Sequence, residues 1–320
     1  QPDWVWIKSR VAGDRHNVYD VVRGTQKPLF THLADVEGTT NQYGTLTSFD
    51  SDGFSLLNGS TSSARTNTNG NNYVSWNWKA GGSAVANYDG SITSYVSVNA
   101  SAGFSIVKWS ASASATIGHG LGVKPAMVIT KSRDNATNWA TWHKGLTGTE
   151  EDVGVTLNTN SASASFYTDY WGTGGFTSSV FGVLNSGFHN NAGEMISYCF
   201  RDVTGFSKFG HYIGNGSTDG SFIYTGFRPA FVMTKKVSGT GDWLIRDSKR
   251  DFNGQWRDLY ANATNQETSP DANTESDLVS NGFKTRMSHT NHNGSGGRYI
   301  YMAFAEAPLV GSNNVPCTAR

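Results

Sequence analysis

Two alternating patterns of large apolar and small or polar positions recur along the chain, and they recur in step. The first is "PDWVWIKSR" (2–10), matched by "PAMVITKSR" (125–133) and "PAFVMTKKV" (229–237). The second is "YVSWNW" (73–78), "MISYCF" (195–200) and "YIYMAF" (299–304), each behind an Asn/Gly-rich stretch: "NTNGNN", "NNAGE" and "NGSGGR". Each reads as a turn feeding a strand. Period-2 alternation puts Val74, Trp76 and Trp78 on one face, matched by Ile196, Tyr198 and Phe200 and by Ile300, Met302 and Phe304. The other face carries Ser75 and Asn77, Ser197 and Cys199, or Tyr301 and Ala303. A large apolar side against a smaller or more polar one is what a sandwich strand needs.

The spacing between the patterns is constant. From the lysine that ends the first to the aromatic that ends the second is 70, 69 and 69 residues (Lys8 to Trp78, Lys131 to Phe200, Lys235 to Phe304). Three copies of one module follow. A Gly-Phe pair (Gly53-Phe54, Gly175-Phe176, Gly282-Phe283) precedes the terminal aromatic by 24, 24 and 21 residues, predicting a bend or bulge that leads into a strand. Modules two and three also share an upstream strand–turn–strand portion, 103–125 and 205–229, that module one lacks.

The organisation expected is therefore module one over 1–82, a linker or edge strand over 83–102, module two over 103–203, module three over 204–308 and a tail over 309–320. Only "RDVT" (201–204) joins modules two and three, which predicts that they pack on each other. Because module one opens directly at its third element, Gln1 is expected not to be the natural start, and strands over Trp4 and Trp6 are expected from further upstream.

Composition agrees with an all-β reading: 37 glycines, 12 % aromatics and few helix-forming runs describe short strands joined by turns. Lys+Arg 25 against Asp+Glu 25 gives no basic footprint for nucleic acid and no polybasic surface for anionic lipid. No stretch reaches the roughly 18 apolar residues of a membrane helix, so no membrane partner is expected. Two cysteines are too few for a disulfide framework, and Cys199 reads as a small buried filler.

Candidate chemistry is sparse. "GHGLG" (118–122) lacks the following helix and Lys-Ser/Thr of a phosphate loop and reads as a tight turn containing His119. His289 and His292 have no third ligand in any local motif, and the acidic runs 149–153 and 269–277 lack spaced calcium-ligand form. Asp20 and Asp247 follow apolar runs at equivalent places, but His143 stands there in module two, which argues against a shared catalytic acid. No catalytic, cofactor or metal residues are assigned. The remaining ligand candidates are aromatics at strand ends or in loops, Trp109, Tyr167, Tyr170, Trp171 and Trp256, together with Trp142. Exposed rings there would stack on sugar faces.

At "PDWVWIKSR", "LTSFDSDGF", "YVSWNWKAGG", "IGHGLGVKPAMVITKSR", "GFSKFGHYIGNGSTDGSFIYTGFRPAFVMTKK" and the ending "YIYMAFAEAPLVGSNNVPCTAR", the chain resembles a module family of bacteriophage virion proteins. That family is common in marine phages and is described as tail-fibre-like or concanavalin A-like lectin-like. The resemblance covers nearly all of the chain. It implies tandem antiparallel β-sandwich modules of jelly-roll or lectin-like kind in a virion fibre or appendage. It further implies a structural or host-attachment duty without enzymatic activity. The implied partners are other copies of itself, with trimers the common solution in phage appendages, other virion proteins and a host surface glycan. The family's tail more often has a small residue at the place of Cys317. Fold likeness does not establish sugar binding, since function lives in the site. Two classes of function stay open: a structural and adhesive phage appendage, or a secreted polysaccharide-binding or polysaccharide-cleaving module. The second calls for a loop-borne acidic pair or calcium site.

Overall fold

The structure, a computed structural model, describes residues 1–39, 42–61, 66–111, 113–165, 170–172, 174–184, 193–250, 257–267 and 276–306. Among them every regular element is a strand. Module one contains β1 (Trp4–Ser9), β2 (Asn17–Asp20), β3 (Gly24–Leu29), β4 (Thr45–Asp50), β5 (Gly53–Leu57) and β6 (Tyr73–Trp78). Then come β7 (Val85–Asn87) and β8 (Ser94–Asn99), followed in module two by β9 (Phe104–Ala111), β10 (Ala115–Gly118), β11 (Met127–Ser132), β12 (Ala140–His143), β13 (Val153–Thr156), β14 (Ala164–Ser165), β15 (Val180–Val183) and β16 (Gly193–Phe200). Module three holds β17 (Ser207–Ile213), β18 (Phe222–Tyr224), β19 (Pro229–Lys236), β20 (Trp243–Asp247), β21 (Leu259–Tyr260), β22 (Ser276–Val279), β23 (Gly282–Thr285) and β24 (Arg298–Ala305).

Each module has an inner and an outer sheet. The inner sheets run β3-β2-β1-β6, β14-β13-β12-β11-β16-β9-β8-β7 and β21-β20-β19-β24-β17, and the outer ones are β4-β5, β10-β15 and β18-β23-β22. The two repeated patterns are adjacent strands in every inner sheet: Trp4 pairs with Trp78, Met127 with Phe200 and Phe231 with Phe304. Of the two readings of 83–102, linker or edge strand, the structure shows the second: β7 and β8 extend module two's inner sheet at its edge through the pairing Val96↔Val107.

The inner strands β1, β11 and β19 are buried on both faces, which explains their near-continuous apolar runs. In β1, Val5 and Ile7 face module one's outer sheet, whereas Trp4 and Trp6 face inward. In β11, Val128 faces outward and Met127 and Ile129 inward; in β19, Val232 outward and Phe231 and Met233 inward. The inward faces of all three modules share one core. The modules thus close around a pseudo-threefold axis, beyond the packing of two and three expected from the short connector. At the axis the three terminal aromatics meet, with ring centroids 6.4 Å (Trp78–Phe200), 6.1 Å (Phe200–Phe304) and 5.5 Å (Trp78–Phe304) apart.

The Gly-Phe pair opens a strand in β5 and β23 but not in module two, where Phe176 makes an isolated bridge to Phe181. Phe181 then pairs with Ile117, as Phe283 pairs with Ile223.

Candidate functional site

The aromatic candidates that the structure describes are core residues. Trp109, Tyr170 and Trp171 are 1 %, 1 % and 0 % exposed and belong to module two's core between its sheets. Trp171 Nε1 donates to Val153 O at 3.0 Å, and Trp142 stacks on Phe176 at 3.9 Å. A ring with no open face cannot stack on a sugar, so these residues are not ligand contacts. At Tyr170, Trp171 and Phe176 the aromatic density is a packing signal. Tyr167, Trp256, Cys317 and most of the acidic run 269–277 lie outside the described residues.

The other motifs take structural places. His119 is buried in a tight turn with Gly120 and Gly122 at φ 70° and 72°; its Nδ1 accepts from Leu121 N at 3.1 Å. Cys199 is a free, buried thiol that burial pushes up in pKa. His292 is buried while His289 is exposed, and among the described residues no three metal-ligating side chains converge.

What the repeat-equivalent polar residues do is join one module to the next. Asp20 Oδ2 accepts from Arg23 Nε at 2.5 Å and, across a module boundary, from Tyr198 OH at 2.8 Å. Asp247 Oδ2 accepts from Arg250 Nε at 2.6 Å and from Trp76 Nε1 at 3.0 Å. At the third boundary the residue equivalent to Tyr198 and Trp76 is Met302, which has no donor, and the acceptor is replaced accordingly. His143 Nδ1 accepts from Gly145 N at 2.9 Å, which leaves Nε2–H to donate to the Tyr301 carbonyl at 3.0 Å. Burial holds His143 neutral, with a pKa of about 3.

A second joint repeats the same cycle. Glu37 N donates to Arg133 O, Ser163 N to Val237 O and Glu267 N to Arg10 O, at 2.8, 3.0 and 2.8 Å. Two of these carry charge: Glu37 bridges Arg23 and Arg133, and Glu267 bridges Arg250 and Arg10. Where Val237 stands in place of an arginine, Ser163 stands in place of the glutamate. Acid and base are lost together, as they must be when either alone would be left without a counter-charge at a closed boundary.

The third repeated polar group is the lysine of the first pattern. Lys8 Nζ donates to Ser9 O and Ala12 O, Lys131 Nζ to Ser132 O and Asn135 O, and Lys235 Nζ to Lys236 O, Gly241 O and Asn160 O, over 2.7–3.2 Å. Each ammonium folds back onto carbonyls at the end of its own strand and in the turn that follows, and that of Lys235 also reaches Asn160 of module two. Burial lowers their pKa to about 8, 8 and 7, from an ordinary 10.5. Between pH 7 and 9 the unfolded chain therefore holds more protons than the folded one, so stability rises with pH. Thermal unfolding at pH 7 and 9 should show a higher midpoint at pH 9, with a shallower rise in Lys235→Met. A flat or falling wild-type profile would contradict the burial of these ammonium groups.

One apolar concavity stands out. A groove of about 470 Å³ runs beside β6, lined by Trp76, Trp78, Phe206, Phe231 and Phe304 and flanked by Lys79 and Lys249. Its walls come chiefly from modules one and three, with Ala102 and Phe104 beside them, and here the central core comes closest to water. Trp76 and Trp78 are 6 % and 8 % exposed, against 0 % for the equivalent Tyr198 and Phe200.

No curated protein matches the chain, and no solved structure does. The model of the family described as "Domain of unknown function (DUF7483)" spans residues 1–308 in a single match, taking in all three modules, and the chain belongs to that family.

Proposed function

We propose that the chain is a structural protein of a bacteriophage virion, a tail or head fibre or appendage subunit that mediates attachment to the host cell surface. Its partners in this reading are copies of itself, other virion proteins and a host surface glycan that is bound and not cleaved. The observation that carries the reading is the use made of the titratable residues at repeat-equivalent places. Asp20, His143 and Asp247, where a repeated catalytic acid would have to stand, each hold one module to another. The same groups close three modules into one body, the property a load-transmitting appendage requires. The family resemblance of the repeated motifs supplies the phage setting.

The test pairs an adsorption assay with a hydrolysis assay. The purified chain should compete with whole phage for adsorption to host cells and release no reducing ends from host surface polysaccharide. Turnover of a polysaccharide, or location of the chain inside the particle away from its surface by imaging, would overturn the proposal.

A further inference from the structure

The groove beside β6 is where the threefold pattern breaks. In module two the outer edge of β16 is covered by β9, from Phe104↔Phe200 to Ala111↔Gly193. In module three the outer edge of β24 is covered by β17, from Ser207↔Phe304 to Ile213↔Arg298. Among the described residues β6 pairs with β1 alone and ends its sheet. The outer sheets break in the same way. β15 and β23 are paired by β10 and β18, whereas among the described residues β5 pairs only with β4, with Leu57 47 % exposed.

The side chains that fill the equivalent space elsewhere are known from the repeats. Phe104 and Ile106, opposite Phe200 and Tyr198, enter the central core, and Phe104 lies 5.7 Å from Trp4 of module one. Phe209, opposite Met302, enters the same core and lies 6.1 Å from His143 of module two. At the third boundary the counterparts of Trp4 and His143 are Phe231 and Asp247. Both line the groove, which is therefore the seat of a Phe104-like side chain.

We infer that the open edges of β6 and β5 are the docking site for a strand–turn–strand segment of a separate polypeptide. The segment pairs antiparallel with β6 and places large apolar side chains opposite Trp78 and Trp76. A strand offered in trans can take this place, because the strand–turn–strand segments of this kind within residues 1–320, at 103–118 and 207–224, are already seated on β16 and β24. Residues 309–320 hold four aliphatic side chains, one of them an alanine, and a proline and lack the alternation. Main-chain pairing to an exposed edge supplies affinity, and alternate side-chain pockets supply selectivity. An apolar edge of this kind otherwise invites aggregation and is normally blunted by charge, a bulge or a cover. Ser75 and Asn77 on β6 do not blunt it. Lys79 and Lys249 at the rim set the sign of the occupant, neutral or acidic.

The probe is a labelled peptide of residues 103–111 carrying Lys108→Glu, titrated with the full chain and read by fluorescence anisotropy. Saturable binding is expected, weakened by about tenfold or more when the peptide also carries Phe104→Ala and Ile106→Ala. An Ala230→Trp protein fills the groove from its module three wall without touching the pairing of β1 with β6. It should keep the wild-type far-ultraviolet circular dichroism and melting temperature and lose the peptide. Absence of saturable binding overturns the inference, as does binding that a folded Ala230→Trp protein retains. Binding seen only after residues 309–320 are deleted overturns the separate source and gives the edge to the chain's own C-terminal residues.

Discussion

Phe200→Ala is expected to lower the unfolding free energy by about 3–5 kcal/mol, and to lower it for all three modules together. Phe200 is fully buried and touches rings from every module: Phe104 at 4.8 Å, Trp4 at 5.8 Å, Phe209 at 5.9 Å, Phe304 at 6.1 Å and Trp78 at 6.4 Å. The cost of a cavity depends on how far its walls can collapse. Here the walls belong to three sheets, each held in register by its own ladder, so collapse would require the modules to move relative to one another. The loss therefore belongs near the upper end of the range. Calorimetry should find one transition in both proteins, moved down by roughly 5–15 °C in the variant. A wild-type protein that melts in separate steps, or a variant in which one step moves and others stay, would sink the shared core.

Much of this fold is legible in the sequence because an inner strand must satisfy two cores at once. "WVWIK", "MVITK" and "FVMTK" show both faces apolar, and their constant spacing to "YVSWNW", "MISYCF" and "YIYMAF" is enough to pair the two strands. Closure into a ring is not legible in this way. The residues that make it, Tyr198 and Asp20, lie 178 positions apart and look unrelated. His143 in place of an aspartate speaks against a repeated catalytic acid, but by itself it says nothing of closure. The mismatch acquires its meaning from a second one that it tracks, Met302 in place of Tyr198 or Trp76. Compared position by position, the three copies act as an alignment within one chain, in which acceptor and donor change together.

The aromatic candidates among the described residues, Trp109, Trp142, Tyr170 and Trp171, failed for a different reason. A tryptophan next to glycines has the same local sequence whether its loop faces water or folds inward. Only the partner of its indole N–H, Val153 O for Trp171, decides which.

Asp20→Ala is expected to cost about 3–5 kcal/mol, because it leaves the buried Arg23 guanidinium without the carboxylate beside it. Arg23 is wholly inside: Nη2 donates to Val18 O at 2.9 Å, Nη1 to Lys27 O at 2.5 Å, and Glu37 remains 3.1 Å away as its second acid. Most of that cost is internal to module one and says nothing about closure. Tyr198→Phe removes only the donor from across the boundary and should cost about 0.5–1.5 kcal/mol. The informative quantity is their coupling. If the hydroxyl binds Asp20 in solution, Asp20→Ala and Tyr198→Phe together cost less than the two measured singly, by about 0.5 kcal/mol or more. The matching pair at the boundary between modules two and three, His143→Ala with Met302→Leu, has no side-chain hydrogen bond to lose, since His143 bonds the Tyr301 backbone. It serves as the control, expected to be additive within about 0.5 kcal/mol. Chemical denaturation of the four variants and two doubles decides it. Additivity at Asp20 and Tyr198 would mean that this hydrogen bond does not couple modules one and two, and the acceptor–donor exchange among the three copies would lose its physical cause.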